Sequence, residues 1–233
     1  MKFTASLCEE IKNNWLTTLP KMLFWEAITK EKIDRYAYIC YLLTTRSYTM
    51  RSALIQCSTI SHFQFHHRNL VRPFLRHAYE EESHYILAEN DLLKLGLNRE
   101  TIEKFPVLPA TEGYIGFIFN RIQNVSPYCY FGYLLQLEFM TINIGSTALE
   151  KIRKSLPNME LGEQFLEVHI KEDLEHVDDL TTLIEQTVRQ EDKRMKEDIR
   201  YTALTANSLW ILMMENAYQF SQTQEFRQLI RTT

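Results

Sequence analysis

The sequence predicts an all-α protein, a single-domain bundle of about seven helices spanning residues 1–233. Three observations predict it. Glycine and proline number only six each in 233 residues, too few to punctuate a strand-and-turn architecture. Apolar residues recur at helical spacing, as in Ile33, Tyr36, Ala37, Cys40, Tyr41 and Leu43. No linker or low-complexity segment divides the chain into halves.

The elements follow in order. The first helix covers residues 4–18 and stops near Pro20. The second starts around Thr29 to Glu31, carries the apolar rhythm above, and continues to about Ser58. The third begins near His62, with Pro73 as a kink or a break, and ends at Gly96, a favourable residue just past a helix C-terminus. The chain turns between Lys104 and Pro109, and a short helix runs from Thr111 to Asn124. Ser126-Pro127 opens a fifth helix that reaches about Lys154, where Pro157-Asn158 breaks it. The sixth spans Met159 to Gln190, and the last, Glu191 to Phe220, closes the bundle.

Composition excludes some functions. A net charge of −4 gives no reason to expect nucleic acid or an anionic membrane as partner. Cys8, Cys40, Cys57 and Cys129 are scattered, with no C-x-x-C pair, as befits reduced thiols in a cytosolic protein. The amphipathic N-terminus carries Glu9 and Glu10, unlike a secretory signal. No apolar run approaches the ~18 residues that span a bilayer. The expectation is a soluble, cytoplasmic homodimer whose partner is a small molecule, with no nucleic acid and no membrane.

The chemistry is concentrated in two stretches. HIKEDLEH places His169, Asp173 and His176 at i, i+4 and i+7, on one face of a helix. HAYEEESH repeats the spacing with His77, Glu81 and His84. The repeat suggests two helices facing one another across a single site. A fifth-helix residue, Glu138, stands alone in the nearly uncharged GYLLQLEFMTINIG. Burying a lone carboxylate is costly unless it meets a cation, a metal or hydrogen-bond donors. Imidazoles and carboxylates together suit non-haem iron, manganese or zinc. A carboxylate-x-x-His pair on each of two helices, with a Glu from another, is also the logic of dinuclear iron bundles. The plainer reading is that E-x-x-H is a surface pair and that HIKEDLEH, with Glu172, Glu175, Asp178 and Asp179, is a solvated face. The shared face, the repeated spacing and the isolated Glu138 favour metal.

LRHAYEEESHYILAENDLLKLG, GYLLQLE and FLEVHIKEDLEHVDDL together resemble the iron-containing redox enzymes, the haem-oxygenase-like di-iron oxidases. The matching residues are Glu81 and His84 with Asp91-Leu92 to Leu95-Gly96, then Glu138, then His169, Asp173 and His176. The resemblance covers residues 70–180 well. It implies a seven-helix haem-oxygenase-like fold, no haem, and O2 activation at two Fe(II) ions per chain. It also implies desaturation, C–C cleavage or N-oxygenation of amino acids or fatty acids. Glu81 and Glu138 carry the catalytic expectation.

The chain departs from the family at one place. Members carry a further Glu ligand on the second long helix, where this chain reads LLTTRSY, with Thr44 or Thr45 in that position. No Asp or Glu occurs between Arg35 and Tyr79. His77, one turn before Glu81, is the candidate to compensate, the alternative being a packed or supporting histidine. Without it, a one-iron enzyme follows. Arg46 or Arg51, on the same acid-free stretch, is a candidate to hold a substrate carboxylate bidentately, against the blander reading of arginines on exposed faces. Two rivals remain: a thiaminase-like hydrolase using Cys129 in SPYCYFGY, and a non-catalytic effector or partner protein of the same fold.

Overall fold

Twelve α-helical segments and no strand make up the described residues of the computed structural model, which are 2–157, 162–188 and 193–231, apart from the His66 side chain. The expected helix ends at Asn158, Met159, Gln190 and Glu191 fall outside them. The chain opens with α1 (Phe3–Thr18), a 3-10 turn at Leu19–Lys21 containing Pro20, and the short α2 (Leu23–Thr29). Then come α3 (Arg35–Thr49), α4 (Ser52–Ser61), α5 (Arg68–Glu81), α6 (His84–Lys94) and α7 (Arg99–Lys104). The second half holds α8 (Pro109–Asn124), α9 (Cys129–Ser155), α10 (Gln164–Val188), α11 (Lys193–Ser221) and α12 (Gln224–Arg231).

Two of the expected long helices are split. The second divides at Met50–Arg51 into α3 and α4. There the Ser47 and Thr49 hydroxyls donate back to the carbonyls of Leu43 and Thr45, each at 2.8 Å. The third divides after Glu81, not at Pro73, which sits inside α5. That break falls within the E-x-x-H motif. Glu81 therefore closes one helix and His84 opens the next.

The long α9 is the axis of the bundle and packs chiefly on α11 and α10. Glycine permits both approaches. A Cβ on Gly132 would lie 2.1 Å from the Ile199 carbonyl oxygen of α11, and one on Gly145 would lie 2.9 Å from Ile170 of α10. Opposite, α3 packs on α6 and α11, and α4 on α5. One contiguous buried cluster runs from Leu7 of α1 to Ile230 of α12. Among the described residues no helix is long and apolar enough to cross a membrane.

Candidate metal centre

The site lies where α5, α6, α9 and α10 meet, and α10 is held in register from its first residue. Asp91 of α6 is fully buried and accepts the backbone N–H groups of Gln164 and Phe165 at 2.9 and 2.8 Å. Those donors have no partner within their own helix. Just before them, the Tyr38 phenol donates to the Gly162 carbonyl at 2.5 Å. At Gly162 a Cβ would meet the Asp91 backbone at 2.3 Å, so only glycine lets the two segments touch. This anchoring sets which residues of α10 face inward: His169, Asp173 and, one turn on, His176.

Two ligand groups converge and share Glu81. Glu81, His84 and His169 form one, and His77, Glu81 and His176 form the other, with the ligand atoms of each group within 4.8 Å of one another. In the first, His84 Nδ1 lies 3.0 Å from Glu81 Oε1 and 3.2 Å from His169 Nε2. In the second, His77 Nε2 lies 2.9 Å from Glu138 Oε1, and His176 Nδ1 lies 3.8 Å from that same oxygen and 3.9 Å from Asp173 Oδ1. The two imidazole pairs, His77–His176 and His84–His169, are each 4.8 Å between ring centres.

The electrostatics are those of a site built for a cation. Glu81, Glu138 and Asp173 are 9%, 5% and 3% exposed, with no lysine or arginine paired to them among the described residues. Burial, reinforced by Glu138 and Glu81, pushes the Asp173 carboxyl up to about 9. Burial likewise raises Glu138 against the opposing hydrogen bond from His77. It works against ionisation of Glu81 too, but the hydrogen bond to His84 and the facing imidazoles hold that carboxyl at about 2. His169 is driven by burial toward its neutral, ligating form. For His77 and His84 burial is outweighed by their carboxylate partners, and both are raised. At this centre three buried polar atoms have no hydrogen-bond partner: His77 Nδ1, His176 Nδ1 and Glu138 Oε2. Orphaned donor atoms from three helices around crowded carboxylates fit a bound metal ion, which would satisfy lone pairs and charge together.

Two spaces adjoin the centre. An open cleft of about 780 Å³ reaches His77, His84, Glu138 and His176 from outside, between α5 and α10. On the inner side lies a cavity of about 90 Å³ that touches Glu81, His169 and Asp173 and is otherwise walled largely by aromatic and aliphatic side chains.

The structure thus brings His77, Glu81, His84, Glu138, His169, Asp173 and His176 to one place. Arg46 and Arg51 are not brought there. Arg46 is paired with Glu89 at 2.6 Å, Arg51 donates to the Ser47 carbonyl of its own segment, and neither lines the cleft or the inner cavity. Cys129 begins α9, buried against Thr202 and Arg121, and burial raises its thiol, the opposite of an activated nucleophile. Thr44 and Thr45 are buried, and Thr45 lies against the Tyr41 and Tyr48 phenols, both of which line the inner cavity. Three features escaped the sequence reading. They are the capping role of Asp91, the Phe165 carbonyl 2.8 Å from His169 Nδ1, and the position of Arg72 on the cleft wall. Only Asp91 had left a signal, as the acid of the D-L-x-x-L-G segment.

The chain is similar to solved structures that share this fold. A domain of unknown function with a haem-oxygenase-like fold from Shewanella denitrificans superposes with a TM-score of 0.87 at 20% identity, over 94% of this chain and 93% of that one. A TenA homologue from Pyrococcus furiosus gives 0.77 at 14%, over 93% and 100%. Another, from Pyrococcus horikoshii, gives 0.76 at 15%, over 94% and 99%. At these identities the likeness concerns the fold alone. No curated protein matches the chain significantly. The sequence profile of the iron-containing redox enzymes matches residues 41–211, a span that includes every ligand candidate. With that match over most of its length, the chain belongs to the iron-containing redox enzyme family.

Proposed function

We propose that the protein is a non-haem iron oxidase or oxygenase that uses dioxygen at two irons to act on a small, carboxylate-bearing molecule such as an amino acid or a fatty acid. The observation that carries this reading is the shared carboxylate: Glu81 belongs to both ligand groups, and one carboxylate serving two positions is the arrangement of a dinuclear centre. Glu81, His84 and His169 would hold one iron. Glu138, His176, Asp173 and His77 would hold the other, His77 standing in for the carboxylate that α3 lacks.

When bound, ferrous iron supplies the electrons that dioxygen needs, without an organic cofactor. The rest is the work of the chain. Phe165 fixes the tautomer of His169 through its carbonyl. The apolar walls of Leu134, Leu137, Met140 and Leu166 keep bulk water from the inner side. A cleft of about 780 Å³ is of the size that takes a small organic molecule. On its wall, Arg72 has no ion pair among the described residues, whereas the neighbouring Arg76 is neutralised by Glu80 at 2.9 Å. Arg72 therefore takes the carboxylate-holding role first given to Arg46 or Arg51, with Phe74, Leu134 and Leu183 receiving the apolar body of the substrate.

The test is to load the protein anaerobically with Fe(II), count the iron, and follow dioxygen uptake across a panel of amino acids and fatty acids. The reading stands if one member accelerates uptake and Arg72→Ala raises the KM for that member. It falls if iron binds and no member changes uptake.

A further inference from the structure

A third space continues from the centre. Beyond the inner cavity lies an outer chamber of about 70 Å³, bounded by Met22, Trp25 and Ile28 of the α2 segment and by Ile144, Ala148 and Ile152 of α9. It carries no charged side chain, and apart from the Thr141 hydroxyl, the Tyr41 phenol and the Trp210 indole N–H its wall is hydrocarbon. The inner cavity and the outer chamber share Tyr41, Met140, Thr141, Leu166 and Trp210. A single layer of side chains therefore separates them. The inner cavity in turn touches Glu81, Glu138, His169 and Asp173.

From this arrangement we infer that the two chambers form a conduit that admits dioxygen to the metal centre from the α2 side, while the organic substrate enters through the open cleft on the opposite side. The inference rests on the dioxygen chemistry proposed above. Size supports it. Chambers of about 90 and 70 Å³ hold two or three small molecules, a water's share of liquid volume being about 30 Å³. They are far below the roughly 300 Å³ at which pockets for organic ligands begin. Polarity supports it as well. An uncharged outer chamber whose wall is mainly hydrocarbon offers water few partners, while a nonpolar diatomic gas loses little on leaving water. The dividing layer can yield, because the unbranched Met140 has three rotatable bonds. Two separate entrances also keep the substrate, seated over His77 and His176, from blocking the gas.

The experiment has two arms. Xenon, a probe for dry apolar cavities, is bound to the metal-free protein and located by crystallography under pressure. In parallel, the dioxygen concentration for half-maximal uptake is measured on iron-loaded protein. The plug is Ala148→Phe, roughly 15 Å along α9 from Glu138 at 1.5 Å per residue. Xenon should occupy the outer chamber of the wild type, and A148F should exclude it. Its half-saturating dioxygen concentration should rise several-fold with iron content and substrate KM unchanged. Should A148F fail to fold, Ala148→Leu is read the same way. Absence of xenon from the outer chamber of the wild type overturns the conduit. So does a plugged variant that has lost the outer xenon site yet keeps the wild-type dioxygen dependence. Iron-loaded wild type that consumes no dioxygen with any substrate overturns the underlying function and the conduit with it, whatever xenon does.

Discussion

His169 donates its Nδ1–H to the carbonyl of Phe165, one turn earlier on α10, at 2.8 Å. The bond leaves Nε2 as the free lone pair, and that atom faces His84 Nδ1 at 3.2 Å. A candidate ligand histidine is thus oriented by its own backbone. His169→Ala should lower bound iron by about one per chain, as should Glu81→Ala or more, since Glu81 serves both groups. Metal counting by mass spectrometry on anaerobically loaded protein checks this. Full occupancy in the His169, His176 and Glu81 triple variant would remove the centre altogether.

Under the proposed function, His77 decides between a two-metal and a one-metal site. Its Nε2 lies 2.9 Å from Glu138, and its Nδ1 has no partner. His77→Ala should bring the stoichiometry toward one iron with the affinity of the Glu81–His84–His169 position kept. His77→Glu, which restores a carboxylate, should return the second iron. An unchanged iron count in H77A would reduce His77 to packing.

Asp173 should be a stability liability in the metal-free protein. Its carboxyl, pushed up to about 9 by burial and by Glu138 and Glu81, binds a proton more tightly folded than unfolded, where the value is about 3.9. The folded state therefore holds more protons between these limits, and stability falls as pH rises through that window. It is fully present below about pH 4 and lost by about pH 9. Asp173→Asn should flatten that slope and raise the apo Tm near neutral pH by a few degrees, about 2–4 °C per kcal/mol for a chain of this size. It should also weaken metal binding. Thermal melts of metal-free protein across pH test the sign, and a D173N apo protein less stable than wild type at pH 8 would contradict it.

Asp91 supports the centre without touching it. Asp91→Ala would leave the N–H groups of Gln164 and Phe165 without their carboxylate partner and should cost about 2–4 kcal/mol. The displaced α10 should also bind iron more weakly at the His169 position, while Asp91→Asn, which keeps one acceptor, should lose less of both. Denaturant melts and iron titration read the two effects separately. D91A with wild-type stability would show that α10 is anchored elsewhere.

The sequence by itself determined the helical class and the identity of the converging residues. Periodicity and spacing are local: i, i+4, i+7 in HIKEDLEH puts that trio on one face of α10, whereas in HAYEEESH the helix breaks between Glu81 and His84 and packing brings the three together. An isolated Glu138 in an apolar stretch announced burial for the same reason. Tertiary structure decided the rest. Helix breaks at Met50–Arg51 and after Glu81 depend on packing partners that no window of sequence contains. The sharing of Glu81 between two groups depends on how α5, α6 and α10 cross, set by Asp91, Tyr38 and Gly162 at contacts far apart in the chain. Arg46 and Arg51 look the same in sequence as Arg72. Only the fold pairs the first with Glu89, ties the second to its own segment, and leaves Arg72 on the cleft wall, because the fate of a long charged side chain is fixed by which neighbours the folded chain brings within its reach.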